Sequence, residues 1–322
     1  MAVPEIKIDG SIARSRLGSG AELPIALGGS WYEKSVQDAD LLNAMAVSYQ
    51  SGIRHFDTGA RYSGGHSEEL LGRFLRDKRD DVFLSSKSDT KEMTADAIQR
   101  EVEGSLRRLR VDRIDLYYIH WPRAGRDMRP TMEGLELARR SGRIGAVGVS
   151  NFSVEQMRQV EQVAPIAAHQ LGFNLLWRHR ENDVIPFCQK HGIAVVAYSA
   201  LAHGILTGRF GRDPQLAPGD QRHTILPFRA DLWPDVYASV EVLKLVADRA
   251  GVPLGTLAVR WLLAQPGLDS VVMGARNAAQ AAANAAIVTP AISQSTLDEA
   301  GEISKRIAAR IPDVGNLFDH YP

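Results

Sequence analysis

Short apolar, largely β-branched runs alternate along the chain with longer stretches in which apolar residues recur every three or four positions. The runs fall at Pro24–Gly29, Ile53–Asp57, Val82–Lys87, Asp115–His120, Ile144–Val149, Ile166–Gln170, Ile193–Tyr198 and Ser270–Met273. Each is short and has no polar alternation, as expected of a strand buried on both faces. Between them the period is helical. Ile98, Val102, Leu106 and Leu109 form one stripe across Met93–Arg110, with Thr90 or Thr94 placed to cap it. Leu135–Ser141 ends at Gly142, a natural helix stop. Ser153 with Gln156 three residues on has the capping-box spacing. Glu181–His191 ends at Gly192, and a last amphipathic helix is expected over about 296–310.

Eight strands alternating with helices predict parallel βα units, which either open into a doubly wound sheet or close into a (β/α)8 TIM barrel. The count favours the barrel, and no glycine fingerprint of a dinucleotide-binding open sheet follows a strand: Gly18-Ser-Gly20 lacks its third glycine. The surplus over a barrel has two places. Residues 5–23 read as an N-terminal β-hairpin cap with Asp9-Gly10 as its turn. Residues 201–234 form a long loop after strand 7, and such loops are usually functional. No linker or repeat divides the chain, so 1–322 is read as a single domain.

Composition then removes whole classes of function. There are 38 Lys+Arg against 38 Asp+Glu, a net charge of zero, which argues against a nucleic-acid or membrane-surface partner. The one cysteine, Cys188, excludes an internal disulfide and a cysteine zinc site, and fits a reducing compartment. The first residues carry no apolar run long enough for a signal peptide, so the expected location is cytoplasmic. The basic run 106–113 reads as a solvated helix end.

In a barrel of parallel strands the active site lies at the C-terminal strand ends. That rule collects Asp57, Lys87, His120, Ser150-Asn151, Gln170 and Tyr198-Ser199 at one rim, with Tyr62 in the loop after Asp57. A carboxylate, an amine, a phenol and an imidazole at neighbouring strand ends form a proton-transfer set.

Five ordered motifs, HFDTGARY (55–62), LSSKSD (84–89), DLYYIHWP (115–122), GVSNF (148–152) and AYSALAHGILTG (197–208), resemble the aldo-keto reductases. The segment VVMGARNAAQAAAN (271–284) resembles that family's adenosine-phosphate site. The resemblance implies the closed barrel and NADPH-dependent reduction of an aldehyde or ketone to the alcohol, reversibly. Its catalytic tetrad falls on Asp57, Tyr62, Lys87 and His120. A free phenol has a pKa near 10; the Lys87 ammonium is expected to lower it, Asp57 to hold Lys87, and His120 to polarise the substrate oxygen while Tyr62 gives the proton.

The resemblance also implies the cofactor cradle. Ser30, Trp31 and Asp57 lie in it, Ser150, Asn151 and Gln170 hold the nicotinamide carboxamide, and Tyr198 stacks on the ring. Ser199, Ala200, Leu201, Ala202, His203 and Gly204 form the pyrophosphate loop, and Gly274, Arg276, Gln280 and Asn284 the adenosine end. A guanidinium at Arg276 suits a 2′-phosphate, hence NADP with NADPH preferred over NADH. Ala200, His203 and Gly274-Ala275 depart from the family's common residues, and Phe173 replaces a frequent tyrosine. Trp31, Tyr32 and Trp121 are expected to ring the substrate pocket, with Trp177 and Trp233 as weaker candidates.

Two alternatives compete. A barrel that holds the nucleotide but acts as a regulatory subunit, as potassium-channel β subunits of this superfamily do, tends to carry asparagine where this chain has His120. A metal-dependent hydrolase would need a second histidine near a strand end. The substrate is a small carbonyl or alcohol; no metal and no obligate protein partner are expected.

Overall fold

The computed structural model describes residues 23–29, 36–89 and 91–318. The expected hairpin over 5–23 lies outside them except for Leu23, as do Thr90, Ser30, Trp31 and Tyr32. Eight parallel strands close into a barrel in chain order: β1 (Ile25–Gly28), β2 (His55–Asp57), β3 (Phe83–Ser88), β4 (Ile114–Ile119), β5 (Ile144–Ser150), β6 (Ala168–Gly172), β7 (Ala194–Tyr198) and β8 (Ser270–Gly274). β8 returns to pair with β1, so no strand is an edge. All eight predicted strands are present. β2 is shorter than its apolar run, and β6 starts two residues later than Ile166.

The helices are α1 (Asp38–Gln50), α2 (His66–Phe74), α3 (Ala95–Leu109), α4 (Arg129–Arg140), α5 (Val154–Val160), α6 (Val184–His191), α7 (Trp233–Arg249), α8 (Leu254–Leu263), α9 (Ala278–Ala286) and α10 (Gln294–Ala308). Thr94 is the cap of α3, its side chain accepting from the Ala97 N–H. Ser153 and Gln156 make the full capping box of α5. α4 starts six residues before the predicted Leu135. The stretch predicted as Glu181–His191 is broken, because Asp183 turns its side chain onto the Val184 N–H and restarts the helix there. Between β7 and β8 stand two helices, α7 and α8, and α10 packs across both.

Strand parity sorts side chains into two shells. Residues such as Tyr117, Val147, Val149 and Val195 face the helices and are buried in the main core. Each such apolar side chain fully buried contributes about 1.5–3 kcal/mol. The alternate residues face inward, where Leu116 and Tyr118 meet Ala146, Ala168, Ala194 and Val196. Tyr118 fits because Gly148 is opposite: a Cβ there would sit 2.4 Å from its ring. The upper inward positions of β2 and β3 are instead polar, and they build the site.

The basic run 106–113 is not simply solvated. Arg108 Nε donates to Glu68 Oε2 at 2.6 Å, and Glu68 on α2 is fully buried, also accepting from Ser86 of β3. Trp177 and Trp233 are buried under loops. The Trp233 indole N–H donates to the Arg212 carbonyl, and its ring stacks on Phe228 at 5.4 Å.

Candidate active site

Asp57 closes β2 and Lys87 lies inside β3, where register pairs Asp57 with Ser85 and Lys87 with Tyr118. The inward parity of β3 therefore points both Ser85 and Lys87 at the barrel axis. Lys87 is completely buried; its Nζ donates to Asp57 Oδ1 and to the Thr58 carbonyl at 2.8 Å. Burial, the largest single influence, pulls the Lys87 pKa down, but the charges and hydrogen bonds of Asp57 and Tyr62 together outweigh it, and the net direction is upward.

The loop after β2 stays laced to β3, with Thr58 N–H on the Ser85 carbonyl and Ala60 N–H on the Lys87 carbonyl. That lacing carries Tyr62 over the lysine, whose Nζ is 5.0 Å from the phenol ring centre. Tyr62 Oη lies 3.5 Å from His120 Nε2, the two rings meeting edge to face. The four tetrad residues thus converge. One expectation is corrected. Burial raises the Tyr62 pKa; the Lys87 ammonium pulls it the other way, but by less, so without cofactor and substrate the phenol is a protonated acid. Burial, then the charges of Lys87, Arg61 and Arg123, holds His120 well below the usual histidine range, and so neutral.

Most of the other predicted residues that the structure describes stand at the same rim, in roles of their own; Ser30, Trp31 and Tyr32 lie outside the described residues. Gln170 Nε2 donates to Asp57 Oδ2 at 3.1 Å. Asn151, at φ 64, donates to the His120 carbonyl and the Ser150 hydroxyl, and its Oδ1 accepts from the Tyr198 hydroxyl at 2.7 Å. Those bonds tie the ends of β4, β5 and β7 together. In the next loop Ser199, Ala202 and His203 all have positive φ, and Ser199 Oγ meets His203 Nε2 at 3.0 Å. Gly204, at φ 96, has no Cβ, so the Arg209 guanidinium lies against it; a Cβ would be 3.1 Å from Arg209 Nη2. At the β8–α9 turn Gln280 Oε1 accepts from the Arg276 N–H, and Asn284 Nδ2 donates to the Gly274 carbonyl. Both side chains brace the turn that carries Arg276.

Three features were not read from the sequence. Arg209 and Arg222 flank the Phe210 ring, at 4.7 and 5.5 Å from its centre. Burial, followed by the nearby charges of Arg222 and Arg276, lowers the Arg209 pKa. Arg209, Arg222 and Arg276 thus gather with Asp220 beside the Ser199–Gly204 loop. Second, the tail returns to the rim: Ile225 bridges to Phe318, whose ring meets Trp121 at 5.8 Å and His203 at 5.9 Å. The pair of large apolar residues Leu317-Phe318, after a polar loop, was the signal for it. Third, Ser85 and His55 stand beneath Asp57; polar residues at alternate positions of HFD and SSK mark them. A cavity of about 180 Å³ lies beside Asn151, lined by Phe152, His169, Trp177 and Arg180, away from the tetrad.

Two observations bear on the fit of a nicotinamide dinucleotide. The 199–204 loop turns its backbone through the left-handed region around a glycine, which suits close approach of a phosphate. Three guanidiniums, those of Arg209, Arg222 and Arg276, gather there with the carboxylate of Asp220, groups of the kind that bind phosphate. The residues fit the group. Among the described residues no cluster of three His, Cys, Asp or Glu could hold a metal, and no helix is long and apolar enough to cross a membrane.

The family model of the aldo/keto reductases matches residues 24–305. The chain is 34% identical to the aldo-keto reductase YhdN of Bacillus subtilis, over 84% of each. It is 29% identical to a probable voltage-gated potassium channel subunit beta of Arabidopsis thaliana, over 78% of this chain and 83% of that one. It is 28% identical to the NADH-specific methylglyoxal reductase of Escherichia coli, over 85% and 90%. Among solved structures, a glycerol dehydrogenase from Gluconobacter oxydans superposes with a TM-score of 0.79 at 32% identity, over 93% of this chain and 95% of that one. An aldo/keto reductase from Klebsiella pneumoniae, in complex with NADP and acetate, does so at 0.72 and 28%, over 92% and 95%. With its barrel, its tetrad geometry and these matches, the chain belongs to the aldo/keto reductase family.

Proposed function

We propose that this enzyme reduces an aldehyde or ketone to the alcohol with NADPH, Tyr62 supplying the proton. The observation that carries the reading is the convergence of Tyr62 Oη and His120 Nε2, 3.5 Å apart, above the buried Lys87–Asp57 pair. A carbonyl oxygen placed between phenol and imidazole accepts from both. The hydride is the chemistry that a bound nicotinamide dinucleotide supplies. As charge builds on the oxygen, neutral His120 with its proton on Nε2 donates to it, and Tyr62 transfers its proton to make the alcohol. The phenolate left behind is stabilised by the Lys87 ammonium, which Asp57 keeps charged and placed. In the reverse direction the same phenolate takes the proton from an alcohol.

Ser150, Asn151 and Gln170 would hold the nicotinamide end, Tyr198 its ring, the 199–204 loop with Arg209 and Arg222 the pyrophosphate, and Arg276 with Gln280 and Asn284 the adenosine end. The gathered guanidiniums support NADPH over NADH, although one relative is NADH-specific by name. Trp121 and Phe318 would wall the substrate side. The regulatory-subunit reading is favoured by the likeness to a channel β subunit and opposed by His120. Steady-state rates over sugars, small aldehydes and bulky ketones, with both cofactors, test the proposal. Turnover with NADPH is expected; NADPH binding without reduction of any carbonyl would move the assignment to the regulatory reading.

A further inference from the structure

Asp57 does not stand on Lys87 alone. Its Oδ2 accepts from the Ser85 hydroxyl at 2.7 Å, and Ser85 Oγ in turn meets His55 Nε2 at 2.8 Å. A hydroxyl has one proton, and Ser85 gives it to the carboxylate. Ser85 must then accept from His55, which fixes the imidazole as the tautomer with its proton on Nε2. His55 Nδ1 is buried with no hydrogen-bond partner, as an acceptor nitrogen in an apolar setting would be. The ring is held edge-on against Phe83 at 5.2 Å. His55, Ser85 and Asp57 are all at most 4% exposed, so water cannot replace a lost donor cheaply.

We propose that His55 and Ser85 are positioning residues for the tetrad: a one-way chain of donors that fixes the Asp57 carboxylate and, through it, the place of Lys87 under Tyr62. Both donors point toward the charge, so each strengthens the next. With Oδ2 pinned by Ser85 and Gln170, Oδ1 is presented to Lys87 Nζ in one orientation. Without Ser85 the carboxylate turns, and the ammonium follows it away from the phenol. The inference rests on the reductase reading above.

The test uses full-length Ser85→Ala, Ser85→Thr, His55→Gln and His55→Leu, with NADPH and 4-nitrobenzaldehyde, and Ser85→Ala again in an Asp57→Asn background. Ser85→Ala is expected to lower kcat about tenfold, the scale of one lost hydrogen bond to a charged group, with KM and NADPH Kd within about twofold. Ser85→Thr restores the hydroxyl and the rate. If threonine's methyl upsets folding, His55→Gln, which keeps an N–H donor, must outperform His55→Leu. In the Asp57→Asn background the Ser85 substitution is expected to change little, because its target is already gone. A Ser85→Ala rate within twofold of the parent, or a full loss that persists without the Asp57 charge, overturns the proposal. ¹⁵N spectra of histidine-labelled enzyme give a readout free of turnover: His55 is expected neutral with its proton on Nε2, and the Nδ1–H form would refute the chain. A parent enzyme that reduces no carbonyl would sink the reductase reading, while the spectra would still decide the tautomer.

Discussion

The rim over β2–β4 and the rim over β7–β8 solve opposite problems by opposite means. At the first, the proposed chemistry is anchored by side chains on strands, with Tyr62 in the loop laced to them: Asp57 and Lys87 are buried, their orientation dictated by sheet register, and every oxygen of Asp57 has a donor. At the second, the work falls to backbone and to loops. Ser199, Ala202 and His203 sit at positive φ, and the cations come from three separate places, Arg209, Arg222 and Arg276. Proton transfer needs groups held to fractions of an ångström, which strands provide. A diphosphate is large and highly charged, so turned backbone and surrounding guanidiniums suffice. The first region is therefore expected to be intolerant of single changes and the second graded.

The largest effect is expected at Lys87. Lys87→Met keeps much of the length and removes the ammonium, so carbonyl reduction should nearly vanish while NADPH still binds through Ser150, Asn151, Gln170 and the β7–β8 side of the rim. Breaking a buried pair costs about 3–5 kcal/mol, chiefly because the partner charge is stranded. Lys87→Met with Asp57→Asn should then melt higher than Lys87→Met alone and stay inactive. Thermal melts beside single-turnover rates check both clauses; a single variant at near the parent rate would dissolve the distinction between the two rims. Next in size is Tyr62→Phe. General acid catalysis contributes roughly 10²–10⁴-fold, and kcat should fall by that much with little change in cofactor Kd. Retention of most of the turnover would show that the proton comes from elsewhere.

The same contrast governs what was legible in the sequence. Asp57, Lys87 and His120 announce themselves because polar residues that end apolar runs have few other reasons to be there, and all three do stand at the rim. The eight strands were equally plain. Ser85 and His55 carried the same alternation but no expectation, since a serine or histidine in a strand is commonly just satisfied. The phosphate end was harder. Arg209 and Arg222 lie in a loop without period, and their approach to Arg276, far along the chain, is a fact of tertiary structure. Gln280 and Asn284 were assigned by resemblance to the cofactor; their bonds to the backbone of their own turn were not read. Phe318 was passed over as tail, because the apolar pair Leu317-Phe318 signals burial but not which part of the barrel it packs on. The direction of the Tyr62 shift also needed the structure: spacing shows the lysine but not the depth of burial that outweighs it.

A stability measurement bears on the buried histidines of the barrel, one beneath the first rim on β2 and one on β6. Burial pulls His55 and His169 down to about 4, against about 6.5 in an unfolded chain. Depressed in the folded state, each contributes its stability fully above pH 6.5 and loses it as pH falls toward 4, because the unfolded chain binds the proton more readily. The loss is on the order of 3 kcal/mol for each. His169→Gln keeps a donor for the Phe152 carbonyl, which His169 Nε2 now meets at 3.1 Å. Its melting temperature should fall less steeply between pH 6.5 and 4 than the parent's. Parallel slopes would mean that His169 titrates normally.

The smallest effects, and the ones that resolve the second rim, concern its arginines. Arg276 stands at the turn before α9, and the 2′-phosphate is its assigned partner. Arg276→Ala should therefore weaken NADPH by about 10–100-fold, as expected for one charge-assisted contact, and barely touch NADH. Arg209 lies against Gly204 in the loop proposed to hold the pyrophosphate, a group that both cofactors share. Arg209→Ala should weaken NADPH and NADH alike, by roughly the same factor or less, since Arg222 stands close enough to share the charge. Fluorescence titrations of both cofactors against both variants form the test. If Arg276→Ala weakens the two equally, it reads phosphate in general, and cofactor preference does not reside there. If Arg209→Ala is the variant that discriminates, the two arginines exchange roles and the loop lies over the adenosine end. If each behaves as assigned, the diffuse rim has its own internal order, with one cation for charge common to all dinucleotides and another for the phosphate that distinguishes them.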